Sequence, residues 1–276
     1  MDKHISVIGI LKQSGKFNIV NIASNVLAIP KSIVIAMVLA PKDYGIISFL
    51  GLWSTYAALI HPGLLSASNR EMAHLIGDDK DSEAIRVQNI ALTSDLLYSL
   101  IPFMVILFAS LFFTEHNLRV GLILTAFTYA ITHLAACWRG INFVRQRFNL
   151  VAKADLIQGV ITTMVILILI HWMKIYVVLI APVVGGFFAF LYYCKNGKIG
   201  YRASFNLAET TRLFKVGITF SLLALAYWGY QLIDRTIIAG FMPLNALGIY
   251  SYAAVYTGLG SIFLRDFGNV LGPVLW

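Results

Sequence analysis

Leu156 to Tyr193 reads LIQGVITTMVILILIHWMKIYVVLIAPVVGGFFAFLYY, and Lys174 is its only formally charged side chain. A helix needs about 20 apolar residues to cross a hydrocarbon core of about 30 Å. The stretch therefore reads as two membrane spans, Leu156 to Trp172 and Ile175 to Tyr193, with a turn at Lys174. Comparable runs recur on both sides of it. The 276-residue chain is 59% hydrophobic and only 12% charged, with mean hydropathy +0.78. Soluble domains are about 45–50% apolar and about 25% charged, so no soluble core could absorb this much apolar surface.

Working outward gives eight spans: Phe17 to Ala40, Tyr44 to Ala67, Asn89 to Phe113, Val120 to Trp138, the two already quoted, Phe214 to Met242, and Ala246 to Leu264. Lipid offers no partner to backbone polar groups, so each span is expected to be helical. A β-barrel needs polar and apolar residues to alternate, and they do not. The fold class expected is all-α, a polytopic membrane helix bundle.

The net charge of +8 would raise the question of nucleic acid in a soluble protein. Here the basic residues cluster in short loops between apolar runs, which signals membrane topology and no nucleic-acid partner. With the N-terminus inside, sixteen Lys and Arg fall on the cytoplasmic side and three, Lys42, Arg119 and Lys174, on the other. That bias places the N-terminus in the cytoplasm. The N-terminal MDKHISVIGILKQSGK has too short an apolar stretch for a cleaved signal peptide. Cys137 and Cys194, the only cysteines, provide neither a disulfide framework nor a CxxC metal site.

Ile10 to Phe49 aligns without gaps on Leu213 to Tyr252 at a constant offset of 203, with eight identities including Ala36/Ala239, Gly45/Gly248 and Ser48/Ser251. The alignment pairs the first two spans with the seventh and eighth in the same orientation, as a repeat of six-helix units would. Residues 1–205 are then a six-helix N-terminal lobe, and residues 206–276 the first two helices of a second lobe. The expectation is a partial form of a longer two-lobe carrier.

Ionisable groups inside spans cost about 2.5–3.5 kcal/mol at a helix centre on insertion scales, which makes each a functional candidate. Lys31 lies beside Pro30 in the first span, on a polar stripe with Asn18, Asn21, Ser24, Asn25 and Ser32. Asp234 and Arg235 occupy the repeat-equivalent positions of Lys31 and Ser32, and Gln231 shares the face of Asp234. Adjacent helix residues do not face each other, so Asp234 and Arg235 make a poor direct pair. The expected arrangement has Lys31 meeting Asp234 across the lobe boundary and Arg235 turned toward an anionic ligand. A purely structural ion pair is the equal alternative.

Asp95 shares a face of the third span with Tyr98, Ser99 and Pro102. It can be a proton or cation site, but its place near the cytoplasmic end makes simple solvation the cheaper reading. Thr125, Thr128, Tyr129 and Thr132 form a polar stripe that bonding to neighbouring helices would explain. His61 and His133 have no metal-ligand spacing and read as structurally satisfied. The basic stretch from Arg139 to Arg147 suits anionic membrane lipids, at about 1 kcal/mol per basic residue. No Walker motif, nucleotide fingerprint or Ser/His/Asp arrangement suggests catalysis, and no cofactor or metal is expected.

Three segments carry a family likeness. Val38-Leu-Ala-Pro-Lys-Asp-Tyr-Gly45, His61-Pro-Gly-Leu-Leu-Ser-Ala-Ser-Asn-Arg70 and Asp234 to Tyr250 resemble the first loop, the end of the second span and the seventh-to-eighth span junction of the Wzx-type polysaccharide and O-antigen flippases. These belong to the multidrug/oligosaccharidyl-lipid/polysaccharide exporter superfamily. His61 departs from the pattern, since relatives often carry an acid there.

The resemblance implies an alternating-access carrier, not an enzyme, in the bacterial inner membrane. Its substrate would be an undecaprenyl-pyrophosphate-linked oligosaccharide for O-antigen, lipopolysaccharide or capsule assembly, with a polysaccharide polymerase as a partner. Lys31, Arg235, Asn25 and Gln231 would bind substrate, while Asp234 and Asp95 would serve ion pairing or coupling. The alternatives are a drug or metabolite antiporter of the same superfamily and a membrane-embedded glycan polymerase or ligase. The antiporter would want a more acidic or aromatic cavity, and the polymerase a large outer loop.

Overall fold

A computed structural model describes residues 29–61, 63–197, 199–255 and 257. Nine α-helices make up most of these residues, and no strand occurs among them. In chain order they are α1 (Ile29–Val38), α2 (Pro41–Leu59), α3 (Leu64–Gly77), α4 (Asp81–Ala109), α5 (His116–Val144), α6 (Phe148–Met173), α7 (Ile175–Asn196), α8 (Leu207–Phe241) and α9 (Leu244–Val255). A 3-10 turn, Ser110–Phe112, extends α4. α4 to α8 are each long and apolar enough to cross a membrane, so the chain is an all-α, multi-pass membrane bundle.

Nine helices cover the eight expected spans because the second is broken. α2 stops at Leu59 and α3 starts at Leu64, around His61-Pro62-Gly63. Proline has no N–H and disfavours helix at the residue before it. Gly63 then takes φ 65°, the left-handed region that suits glycine, and caps α3. A Cβ there would also run into the backbone carbonyl of Gly217 on α8, so the break requires glycine for packing as well.

Three apolar clusters hold the first seven helices together. Ile46 and Leu50 of α2 pack with Ile106 of α4, Leu122 and Ala126 of α5 and Leu179 of α7. Met72, Val87, Ile141, Val151 and Tyr193 join α3 to α7 near the opposite end. Ile35 and Leu39 of α1 meet Ile166 and Ile170 of α6 and Val177 and Ala181 of α7. α8 lies against α3 and α2 through a smaller contact in which Leu213 meets Leu64, Ala67 and Ala91. In its most apolar stretch only 11% of α8 is buried, against 39% for α5.

Ion pairs and hydrogen bonds tie the helices together towards both of their ends. Lys42 pairs with Glu115 at 3.0 Å, and the Tyr176 hydroxyl donates to Asn117 at 2.8 Å. At the other end Arg139 pairs with Asp155 at 2.9 Å, and Arg212 with Glu71 at 2.6 Å and Glu209 at 2.7 Å.

The stretch from Arg139 to Arg147 is not a free basic loop. α5 continues through Val144, and all three arginines have protein partners: Asp155 for Arg139, Gln88 for Arg145, and the Gly197 carbonyl for Arg147. Pairing lets the helix run past Trp138, where hydropathy alone ended it.

Candidate functional site

The densest group of ionisable side chains lies where the broken span meets α4 and α5. Asp95 of α4 is 1% exposed. Its Oδ1 lies 3.1 Å from His61 Nδ1, and its Oδ2 lies 2.9 Å from His133 Nε2. The thiol of Cys137 donates to Oδ2 at 3.5 Å and lies 3.5 Å from His133 Nε2. His133 and Cys137 are four residues apart on α5, one turn along the same face. The break after Leu59 brings His61 to the same point. Its ring stacks on that of His133 at 4.3 Å, and the Tyr129 ring stacks on His133 at 5.6 Å.

Asp95 is therefore buried and partnered, not solvated, and the two histidines are not isolated. Sequence position concealed this, since the three residues come from three separate segments. The usable signal was an acid inside a span together with the His133/Cys137 spacing. Two buried polar atoms at the cluster, His61 Nε2 and the Tyr129 hydroxyl, have no hydrogen-bond partner among the described residues. His61 is also tied to α8, because its carbonyl accepts from Ser221 Oγ at 2.6 Å.

Lys31, Asp234 and Arg235 lie elsewhere, on α1 and α8, and all three are half-buried. Asp234 accepts from the Tyr250 hydroxyl of α9 and, at 2.7 Å, from the backbone N–H of Arg235. Among the described residues no ion pair joins Asp234 to Lys31, and neither Lys31 nor Arg235 has an acidic partner. Gln231 is exposed on α8, and Asn25 lies outside the described residues. The threonines of α5 mostly bond to carbonyls of their own helix, and only Thr128 also reaches a neighbour, the Leu179 carbonyl of α7 at 3.0 Å.

α2 and α9 meet at a reciprocal contact. A Cβ on Gly45 would run into the carbonyl of Leu244, and one on Gly248 into the carbonyl of Pro41. Both pairs of partners, Pro41 with Leu244 and Gly45 with Gly248, are 203 positions apart, the offset of the sequence repeat. Beside them Tyr44 and Tyr252 stack at 4.1 Å, and the Tyr252 hydroxyl donates to the carbonyls of Leu39 at 2.7 Å and Ala36 at 3.1 Å. Between α2, α4 and α8 runs an apolar cleft of about 390 Å³, lined by Phe49, Trp53, Pro102, Ala239 and Gly240 among others.

No curated protein and no solved structure matches the chain. One sequence family does, over residues 10–276, and its description is "Polysaccharide biosynthesis protein". A match across nearly the whole of a multi-pass helical bundle establishes that this chain belongs to the polysaccharide biosynthesis protein family.

Proposed function

We propose that the protein translocates lipid-linked oligosaccharide, carried on undecaprenyl pyrophosphate, across the bacterial inner membrane with its N-terminus in the cytoplasm. The observation that carries this reading is the family match over residues 10–276 of a chain built from membrane-spanning helices. Pyrophosphate and sugars cannot cross about 30 Å of hydrocarbon without a polar path. In this reading Lys31 and Arg235, with Asn25 and Gln231, replace water around the pyrophosphate. Their half-burial without acidic partners among the described residues suits that role. The apolar cleft between α2, α4 and α8 suits the hydrocarbon tail.

The reciprocal glycine contact favours two repeat units meeting at α1/α2 and α8/α9, as in a two-lobe carrier of which residues 1–205 form one lobe. Catalysis by a polymerase would call for a folded outer domain, whereas α6 and α7 are joined by Lys174 alone and α4 and α5 by a few residues. The translocated unit would pass to a polysaccharide polymerase, destined for O-antigen, lipopolysaccharide or capsule.

The decisive experiment reconstitutes the full chain in vesicles with a fluorescent polyprenyl-pyrophosphate oligosaccharide and follows protection of the label from an external quencher. Protein-dependent equilibration between leaflets is expected. Flipping no faster than in empty vesicles, combined with failure to complement a flippase-null strain, would overturn the reading.

A further inference from the structure

We propose that His61, Asp95, His133 and Cys137 form a binding site for one divalent d-block cation of the zinc type. This goes beyond translocation, and the evidence for it is independent of the substrate.

The donor set comes first. Two imidazoles, one carboxylate and one thiol converge from α4, α5 and the α2/α3 break, and the ligating atoms of His61, Asp95 and His133 all lie within 4.8 Å of one another. Na⁺, Mg²⁺ and Ca²⁺ prefer shells of oxygen, whereas nitrogen and sulfur donors select zinc-like ions.

Geometry comes second. Bonds of about 2.0 Å to nitrogen and oxygen and about 2.3 Å to sulfur, arranged tetrahedrally, hold the ligand atoms about 3.3–3.6 Å apart. Two of the three edges from Cys137 Sγ, to His133 Nε2 and Asp95 Oδ2, are already 3.5 Å, while the edge between His133 Nε2 and Asp95 Oδ2 is 2.9 Å and would open by a few tenths of an ångström as the thiolate and His61 close on one ion.

Charge comes third. No Lys or Arg pairs with Asp95 among the described residues, so with neutral histidines the cluster carries one uncompensated negative charge inside a span. A buried charge needs a partner. A divalent ion held by the Asp95 carboxylate and the Cys137 thiolate gives zero net charge. On binding, the thiol releases one proton to solvent, and each imidazole turns a lone pair to the ion and keeps its N–H on the other ring nitrogen.

Because the His61 carbonyl accepts from Ser221 of α8, an ion that fixes His61 would also bias the seat of α8 against the first seven helices.

The test uses the full chain purified in detergent and titrated with Co²⁺, with Zn²⁺ as competitor. One equivalent of Co²⁺ is expected, with the intense visible bands of tetrahedral cobalt and a near-ultraviolet thiolate charge-transfer band, all displaced by Zn²⁺. Cys137→Ser, close in shape, should remove the charge-transfer band while keeping weaker binding. His133→Gln should weaken binding at least about tenfold. His116→Gln and His171→Gln, remote from the cluster, should change nothing. Absence of stoichiometric binding, only faint octahedral spectra, or a titration unaltered by Cys137→Ser and His133→Gln in folded protein would overturn the proposal. A cluster that takes up protons on acidification but no cobalt would do the same, and would make it a proton relay.

Discussion

Asp95 and Asp234 are both carboxylates inside apolar helices, and the bundle treats them differently. Asp95 sits between α4, α5 and the α2/α3 break, with two imidazoles and a thiol around it and almost no exposure. Asp234 sits on α8, half-buried, held by one phenol from α9 and its neighbour's backbone N–H. The first is part of the interior of the seven-helix body. The second stands on α8 and is bonded to Tyr250 of α9, the helix whose Gly248 meets α2 at Pro41 and Gly45. Removing one partner from a buried ionic group leaves the other unsatisfied, at about 3–5 kcal/mol, whereas exposed groups can fall back on water. The comparison predicts structural consequences at the first region and functional ones at the second.

The largest expected effect on stability is at Asp95. Asp95→Ala removes the shared acceptor of both histidines and should cost about 3–5 kcal/mol, seen as a large drop in the unfolding midpoint of the purified protein. Asp95→Asn keeps the shape and one acceptor and should cost clearly less. Equal, small losses in both variants would mean that the cluster is wet and that the two regions do not differ.

Next in size is the glycine contact. Gly45→Ala and Gly248→Ala each force a methyl group into a backbone carbonyl, and overpacking of this kind costs about 1–3 kcal/mol. The reciprocity of the contact makes the two losses similar, and thermal unfolding of the pair checks it. A severe loss at one glycine and none at the other would break the symmetry argued for the junction.

Tyr250→Phe should cost less again, about 0.5–1.5 kcal/mol, because it deletes one hydrogen bond to a half-exposed carboxylate. A loss as large as that of Asp95→Ala would show that Asp234 is as deeply buried as Asp95.

The difference between the regions also explains what the sequence can and cannot reveal. Spans are legible from length and hydropathy, because lipid forces each to close its own hydrogen bonds: Leu156 to Trp172 lies within α6 and Ile175 to Tyr193 within α7. The ends were missed where side-chain pairing carries a helix beyond its apolar stretch, as Arg139 and Asp155 do for α5 and α6. Lys31, Asp234 and Arg235 stand out as charges in apolar surroundings, which is a local property. The Asp95 cluster is not local. His61 and Asp95 are 34 positions apart, His133 lies 38 further on, and the break that admits His61 depends on Gly63 fitting against α8. What the chain does show is that an acid placed in a span needs a partner. The other spans hold three histidines, His61, His133 and His171, and two of them are the partners of Asp95.

The smallest effect on stability, and the sharpest separation of the two regions, is expected for Lys31→Gln and Arg235→Gln. Neither side chain has an acidic partner among the described residues, and each is half-buried, so replacing its charge by an amide of comparable reach strands no buried counter-charge. The unfolding midpoint and membrane abundance should therefore stay within about 0.5 kcal/mol of the parent, the usual range for substitutions that disturb no buried feature. Transport should not survive, because a pyrophosphate drawn from water needs fixed positive charge to replace its hydration. Lys31→Arg keeps the charge but changes a compact ammonium into a planar fork, and should retain part of the activity. Abundance and complementation of a flippase-null strain, measured on the same cells, separate the outcomes. Full complementation by both glutamine variants would remove these cations from the substrate path. A loss of activity that tracks a loss of folded protein would place them with Asp95, as parts of the scaffold.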